Sequence, residues 1–253
     1  MISIILAAGE GSRLLPYTKD VPKSLVQIRN TTMLEEQLKI YDKLNIKSYI
    51  VGGYLFNKLK VISTNLFENK FYLETNMVYT LFEAQSIFND DIIISYGDIL
   101  FTKNILNDLI KSKKNVTVVA DMNWKKYWLK RLDNPLDDLE TFIKSGDRIK
   151  ELGSKANSIN EIEGQFIGLL KISKNFLTDL IKIYEDCKLI NSINGKPYKK
   201  AFMTDFIQEI INRRFEVNFI EMFDPWVEID TVDDLNNPET KKRISKIIKI
   251  NNG

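Results

Sequence analysis

Apolar positions along this chain fall into two kinds of run. Residues 1–7 (M-I-S-I-I-L-A) form a short continuous apolar stretch, the pattern of a strand buried on both faces. Over 33–44 the apolar positions 34, 38, 41 and 44 follow a helical period. Residues 48–51 read as a second strand closing on Gly52-Gly53-Tyr54. The pattern then predicts a helix over 55–67, a short strand over 71–73 and a helix from 77 toward 88. Residues 90–100 (D-D-I-I-I-S-Y-G-D-I-L) place a buried strand just ahead of an aspartate. A helix is predicted over 103–111 and a strand over 116–120. A β-ribbon follows over 139–152, turning at Ser145-Gly146-Asp147. Residues 161–172 read as a strand interrupted by Gly164 and Gly168, followed by helices over 174–187 and 204–213. Strands over 215–222 and 226–230 precede a helical C-terminal segment. Alternating strands and helices imply right-handed crossovers and a mostly parallel α/β sheet, with ligands beyond the carboxyl ends of its strands. No repeat or linker divides residues 1–253, so one domain with an inserted subregion is expected.

Composition narrows the chemistry more than the fold. With 44% hydrophobic and 28% charged residues, the chain is an ordinary globular one. A net charge of +2 gives no argument for nucleic-acid or membrane partners, and the C-terminal lysines and arginine read as a solvated helix face. The single cysteine, Cys187, excludes an internal disulfide and a multi-cysteine metal site. Histidine is absent, which removes His triads, His-ligated zinc and His general acid–base catalysis, and directs attention to carboxylates and hard cations. The opening apolar run lacks a basic start and no stretch approaches the ~20 apolar residues of a membrane span, so a cytoplasmic protein is expected.

The first strand breaks into Ala8-Gly9-Glu10-Gly11-Ser12-Arg13-Leu14 and then reaches Pro22-Lys23-Ser24-Leu25. Glycines after a buried strand let backbone N–H groups approach an anion, and Arg13 and Lys23 add charge-assisted donors for phosphate oxygens. Leu14 stands where a dinucleotide fingerprint needs its third glycine, and no Gly-Lys-Ser/Thr run exists, so neither that fingerprint nor a P-loop fits. Asp98 follows Gly97 at the end of a buried strand, pointing toward the ligand crevice, and Asp230 ends a second short strand. Two such carboxylates suit Mg²⁺, which completes its shell with water and substrate phosphates; Asp230 equally suits a helix N-cap.

The run Leu6-Ala7-Ala8-Gly9-x-Gly11-Ser12-Arg13-Leu14 with Pro22-Lys23-Ser24-Leu25 resembles the signature of the sugar-nucleotidyltransferase superfamily. T-N-M-V-Y-T-L-F-E-A at 75–84 is similar to its cytidylyltransferase branch, as are W-K-K-Y-W…N-P-L-D-D-L-E-T, I-E-G-Q-F-I-G-L and M-T-D-F-I-Q. The resemblance spans nearly the whole chain and leans toward enzymes acting on phosphocholine, phosphonates such as 2-aminoethylphosphonate, and phosphoglutamine. It implies a three-layer Rossmann-like fold, a nucleotide part over about 1–120 and 215–235, and an acceptor part over about 121–214. It implies transfer of CMP from CTP to a small phosphorylated or phosphonate acceptor, with loss of pyrophosphate, in decoration of capsule or cell-surface polysaccharide. Leu6, Ala7, Ala8, Gly9, Gly11, Ser12, Arg13, Lys23, Gly97 and Asp98 would then meet the nucleotide, with Arg13 and Lys23 catalytic and Asp98 and Asp230 holding Mg²⁺. Thr75 and Asn76 are candidates for reading cytosine, although Asn76 also suits a helix cap.

An ionised acceptor phosphate needs no general base, which fits a chain without histidine. The acceptor candidates are Lys126, Trp128 and Arg131 in the aromatic-basic run, with Glu163 and Gln165; spaced aromatics are also ordinary core residues. Asn30-Thr31-Thr32 replaces the usual Gly-Lys-Pro, and Ser12 and Ser24 stand where hexose-1-phosphate enzymes often carry Thr and Pro. A hexose-1-phosphate uridylyl- or thymidylyltransferase and a non-catalytic nucleotide-binding regulatory domain are the alternative readings. The protein is expected to act as a monomer or homodimer.

Overall fold

The computed structural model describes residues 1–131 and 139–253, excepting the side chains of 129–131. The first half of the chain alternates strand and helix. It runs β1 (Ile2–Ala7), α1 (Met33–Lys43), β2 (Lys47–Gly52), α2 (Phe56–Leu59), β3 (Leu66–Glu68), α3 (Met77–Phe82), β4 (Ile92–Tyr96) and β5 (Ile99–Leu100). After α4 (Lys103–Lys111), β6 (Val116–Asp121) and α5 (Trp124–Arg131), the ribbon β7 (Glu140–Ser145) and β8 (Arg148–Lys155) leads to β9 (Gln165–Ile172). The chain closes with α6 (Leu177–Leu189), α7 (Met203–Asn212), β10 (Asn218–Met222), β11 (Val227–Glu228), α8 (Val232–Asn236) and α9 (Pro238–Asn252).

Among the described residues, nine strands form one sheet in the order β3-β2-β1-β4-β9-β6-β10-β8-β7. β2 and β4 flank β1 in parallel, β3 extends β2, and β10 runs parallel to β6. β9 runs antiparallel to both β4 and β6, and β8 opposes β10 and β7, so all strands except β8 and β9 share one direction. The sheet is therefore mixed but mostly parallel, as the alternating pattern predicts.

Strand alternation assigns the core to two faces. Ile4 and Leu6 of β1 join Leu81, Leu180 and Phe206 from α3, α6 and α7. Ile5 and Ala7 join Leu34, Ile40, Leu106 and Leu109 from α1 and α4 on the other face. Three layers result. A third cluster packs Leu14, Val26 and Ile28 against Val227, Ile229, Ile244 and Ile247, tying the opening loop to the C-terminal helix. Thr32 explains the departure at 30–32: its hydroxyl accepts the Glu35 N–H while the Glu35 carboxylate accepts the Thr32 N–H, a capping box opening α1.

Two predicted elements differ. The helix expected over 55–67 is a single turn, and Leu66–Glu68 instead extends the sheet beside β2. Ser63-Thr64-Asn65 supply turn formers rather than a helical apolar stripe. The strand expected over 71–73 is a turn, with Glu74 N–H returning to Phe71 O at 2.8 Å. No helix among the described residues is long and apolar enough to cross a membrane.

Candidate nucleotide and acceptor site

The strand order reverses at β1. Its successor β2 lies on one side and β4 on the other, so a crevice opens beyond the carboxyl ends of β1 and β4. A cavity of about 310 Å³ occupies that crevice. It is lined by Leu6, Ala7, Ala8, Gly9, Gly11, Ser12, Arg13, Lys23, Thr75, Asn76, Gly97, Asp98 and Asp230. Ser24, Tyr72, Met77, Thr80, Tyr96 and Glu228 complete the lining.

Local backbone geometry explains why glycine stands at two of these positions. Gly11 has φ +68°, and a Cβ there would meet the Lys23 Cβ at 2.9 Å, so the loop can close on Lys23 only without a side chain. Gly97 donates its N–H to Leu6 O at 2.8 Å, and a Cβ on it would lie 2.9 Å from that oxygen. The end of β4 thereby sits against the end of β1. Leu14 is fully buried and anchors the short helical turn that carries Ser12 and Arg13.

Asp98 and Asp230 are distant in sequence and are joined by a two-residue antiparallel pairing. Val227 pairs with Leu100 and Glu228 with Ile99, and the Ile229 N–H donates to Asp98 O at 3.0 Å. Asp230 does not cap the following helix: Thr231 fills that place, accepting the Asp234 N–H at 3.1 Å. The Lys23 ammonium bridges the two carboxylates, donating to Asp230 Oδ1 at 2.6 Å and to Asp98 Oδ2. The Arg13 guanidinium pairs with Asp230 Oδ2. Burial works to lower the Lys23 pKa, but Asp98, Asp230 and Glu228 outweigh it and hold the ammonium above its ordinary value.

Asp98 Oδ1 is buried without a hydrogen-bond partner. Among the described residues no group of three or more His, Cys, Asp or Glu side chains could hold a metal. Two carboxylates with an unpartnered oxygen nevertheless fit Mg²⁺, which takes one or two carboxylates and draws its other ligands from phosphate and water.

Thr75 and Asn76 face the cavity but are partly committed within the protein. The Asn76 side-chain oxygen accepts the Met77 N–H at 2.8 Å as the cap of α3, and its amide donates to Lys200 O at 3.4 Å. The Thr75 hydroxyl donates to Phe71 O at 2.8 Å and accepts from Asn69 at 2.9 Å.

Among the described side chains, the acceptor candidates Lys126, Trp128, Glu163 and Gln165 do not line this cavity. Trp128 is buried in a satellite cluster with Trp124, Leu139, Ala156 and Ile162. Lys126 lines a second cavity of about 290 Å³ with Lys242, Arg243 and Lys246. The Glu163 carboxylate accepts the Lys144 N–H at 2.7 Å. Gln165 opens β9 beside Asp121, at the carboxyl-end edge of the sheet, and its buried Oε1 has no partner. The Arg131 side chain lies outside the described residues. Sequence reasoning overlooked Glu228 and Tyr96. Glu228 stands two positions before Asp230 on a short strand, a spacing that places both on one face. Tyr96 directly precedes Gly97-Asp98. Tyr72, Met77 and Thr80 carry no comparable signal.

Comparison with known proteins yields consistent relatives. Residues 2–55 match the Nucleotidyl transferase family. The chain is 38% identical over 247 residues to the CTP:phosphoglutamine cytidylyltransferase of Campylobacter jejuni, covering 93% of this chain and 98% of that one. It is 34% identical over 139 residues to the choline-phosphate cytidylyltransferase of Haemophilus influenzae, covering 53% and 59% of the two chains. Among solved structures, the inositol-1-phosphate CTP transferase from T. maritima superposes with a TM-score of 0.74 at 19% identity, over 97% of this chain and 95% of that one. The CTP:phosphocholine cytidylyltransferase from Streptococcus pneumoniae gives 0.70 at 19% identity, over 98% of both chains.

Proposed function

Because this chain belongs to the nucleotidyltransferase family, we propose that it transfers CMP from CTP to a small phosphorylated or phosphonate acceptor, releasing pyrophosphate. Phosphoglutamine is the acceptor that the 38%-identical relative favours, with phosphocholine and 2-aminoethylphosphonate as neighbouring chemistries. The observation carrying the reading is the convergence of Arg13, Lys23, Asp98 and Asp230 at the mouth of the glycine loop. A cation pair and a carboxylate pair at one point suit a polyphosphate and its counter-ion.

In this reading the N–H groups of Gly9, Gly11 and Ser12 cradle the triphosphate, and Arg13 holds its β- and γ-phosphates. Lys23 lies against the α-phosphate and the incoming oxygen. An acceptor oxygen forms the new bond to the α-phosphorus as the bond to pyrophosphate breaks in line. Asp98 and Asp230 would hold Mg²⁺, which when bound neutralises the triphosphate charge. The acceptor is ionised beforehand, so positioning and charge neutralisation carry the rate. Leu6 to Ala8, with Thr75 and Asn76, form the base side. Residues 121–214 supply the acceptor side, with Gln165 the candidate nearest the strand ends. We further propose a cytoplasmic role in cell-surface polysaccharide decoration, the setting that the family resemblance implies.

Pyrophosphate release from each NTP against an acceptor panel tests the reading. Release with CTP and phosphoglutamine, phosphocholine or an aminophosphonate is expected. Preference for UTP or dTTP with a hexose 1-phosphate, or nucleotide binding without turnover of any acceptor, would overturn it.

A further inference from the structure

We propose that Lys23 and Arg13 hold the carboxylate pair closed against a free divalent cation, so that metal enters together with the nucleotide. This rests on the metal-dependent transfer proposed above. The pairing of β5 with β11 forces Asp98 and Asp230 together, and two neighbouring carboxylates need a cation. The protein provides one from its own chain. Lys23 takes one oxygen from each aspartate, and Arg13 takes the second oxygen of Asp230. Asp98 Oδ1 alone is left, and it is buried.

A bare divalent cation seeking this pair must displace the Lys23 ammonium. That side chain is 13% exposed and is hemmed in by Gly11, so displacement without a new anion strands a buried charge. A triphosphate removes this obstacle because its oxygens accept both Lys23 and Arg13, freeing the aspartates as it arrives. Arg13, with its side chain 66% exposed, can make the move with little repacking. The same two basic residues therefore serve as occupants of the cation position before binding and as phosphate ligands after it.

Mn²⁺ binding to the full chain without nucleotide, followed by electron paramagnetic resonance, tests the inference. Lys23→Met should bind Mn²⁺ about tenfold more tightly than the wild type, equivalent to about 1.4 kcal/mol, while losing turnover. Adding Asp230→Asn to that variant should abolish the gain, locating the ion at this pair. A folded Lys23→Met protein that binds Mn²⁺ no more tightly than the wild type overturns the inference. Should Lys23→Met not fold, Lys23→Gln decides on the same criterion, since it removes the bridging charge and keeps a polar end between the two aspartates. The titration contains no nucleotide, so it reads the carboxylate pair independently of the substrate panel. Failure of one can be told from failure of the other.

Discussion

The indole N–H of Trp226 donates to Asp121 Oδ2 across 2.8 Å, joining the end of β6 to the segment that delivers Asp230. Both side chains are buried. The other Asp121 oxygen accepts the Asn123 N–H at 2.7 Å, and Arg243 donates to Trp226 O while lying 4.0 Å over the Tyr127 ring. Trp226→Phe keeps most of the apolar contact and removes the donor. A loss of about 1–3 kcal/mol is expected, the cost of leaving a buried acceptor unpaired. An unchanged urea midpoint would refute it.

Asp121 also sets part of the pH response. Burial pushes its carboxyl above the ordinary 3.8, against the pull of Trp226, Asn123 and Arg243. The folded state then keeps its proton to higher pH than the unfolded state, so this group costs stability as pH rises from about 3.8 through the folded value. Asp121→Asn should flatten that stretch of the stability curve relative to the wild type. Chemical denaturation at stepped pH reads the difference, and parallel curves would count against it.

Turnover should depend steeply on the two cations of the loop. Lys23→Ala and Arg13→Ala are each expected to lose about 10²–10³ in kcat, by analogy with removing one preorganised donor to a developing charge. Steady-state pyrophosphate release measures this. Near-full turnover of Lys23→Ala with CTP would remove Lys23 from the chemistry.

Gly168 shows how a glycine inside a strand shapes the cavity wall. It has φ +78°, and a Cβ there would stand 2.4 Å from Tyr96 Cδ2. Gly168→Ala should cost about 1–3 kcal/mol through overpacking, and should also raise the KM for nucleotide because the displaced Tyr96 ring lines the cavity. A variant with wild-type melting temperature and KM would show that the wall yields freely.

What was legible in the chain followed from how directly chemistry constrains residue type. A loop that must bring backbone to phosphate leaves glycine no substitute, and Gly11 and Gly97 each meet a backbone or side-chain neighbour closer than a Cβ allows. Gly97-Asp98 and the late Asp230 could be picked out because strand ends aim carboxylates into a crevice. Their direct association through Lys23 could not, since it depends on β5 pairing with β11 across more than a hundred residues. The acceptor side was harder still. Trp124 and Trp128 have the same residue type whether they stack on a ligand or fill a cluster, and here they fill one. Asn76 shows the same ambiguity, since the oxygen that suits a base edge also caps α3. Over 55–73, local apolar spacing misplaced a helix and a strand because pairing with β2 decides where the chain extends.

The antiparallel strand β9 has a consequence for how such a protein can diversify. It follows the proposed acceptor segment's ribbon in sequence, yet it hydrogen-bonds both β4 and β6 at the middle of the sheet. Excising or transplanting residues 121–214 as a cassette would pull out that shared neighbour and leave two apolar strands with open edges, an invitation to aggregation. Acceptor preference in this architecture must therefore change by rewriting loops and strand ends in place, one side chain at a time, while the strand that interlocks the two parts stays put.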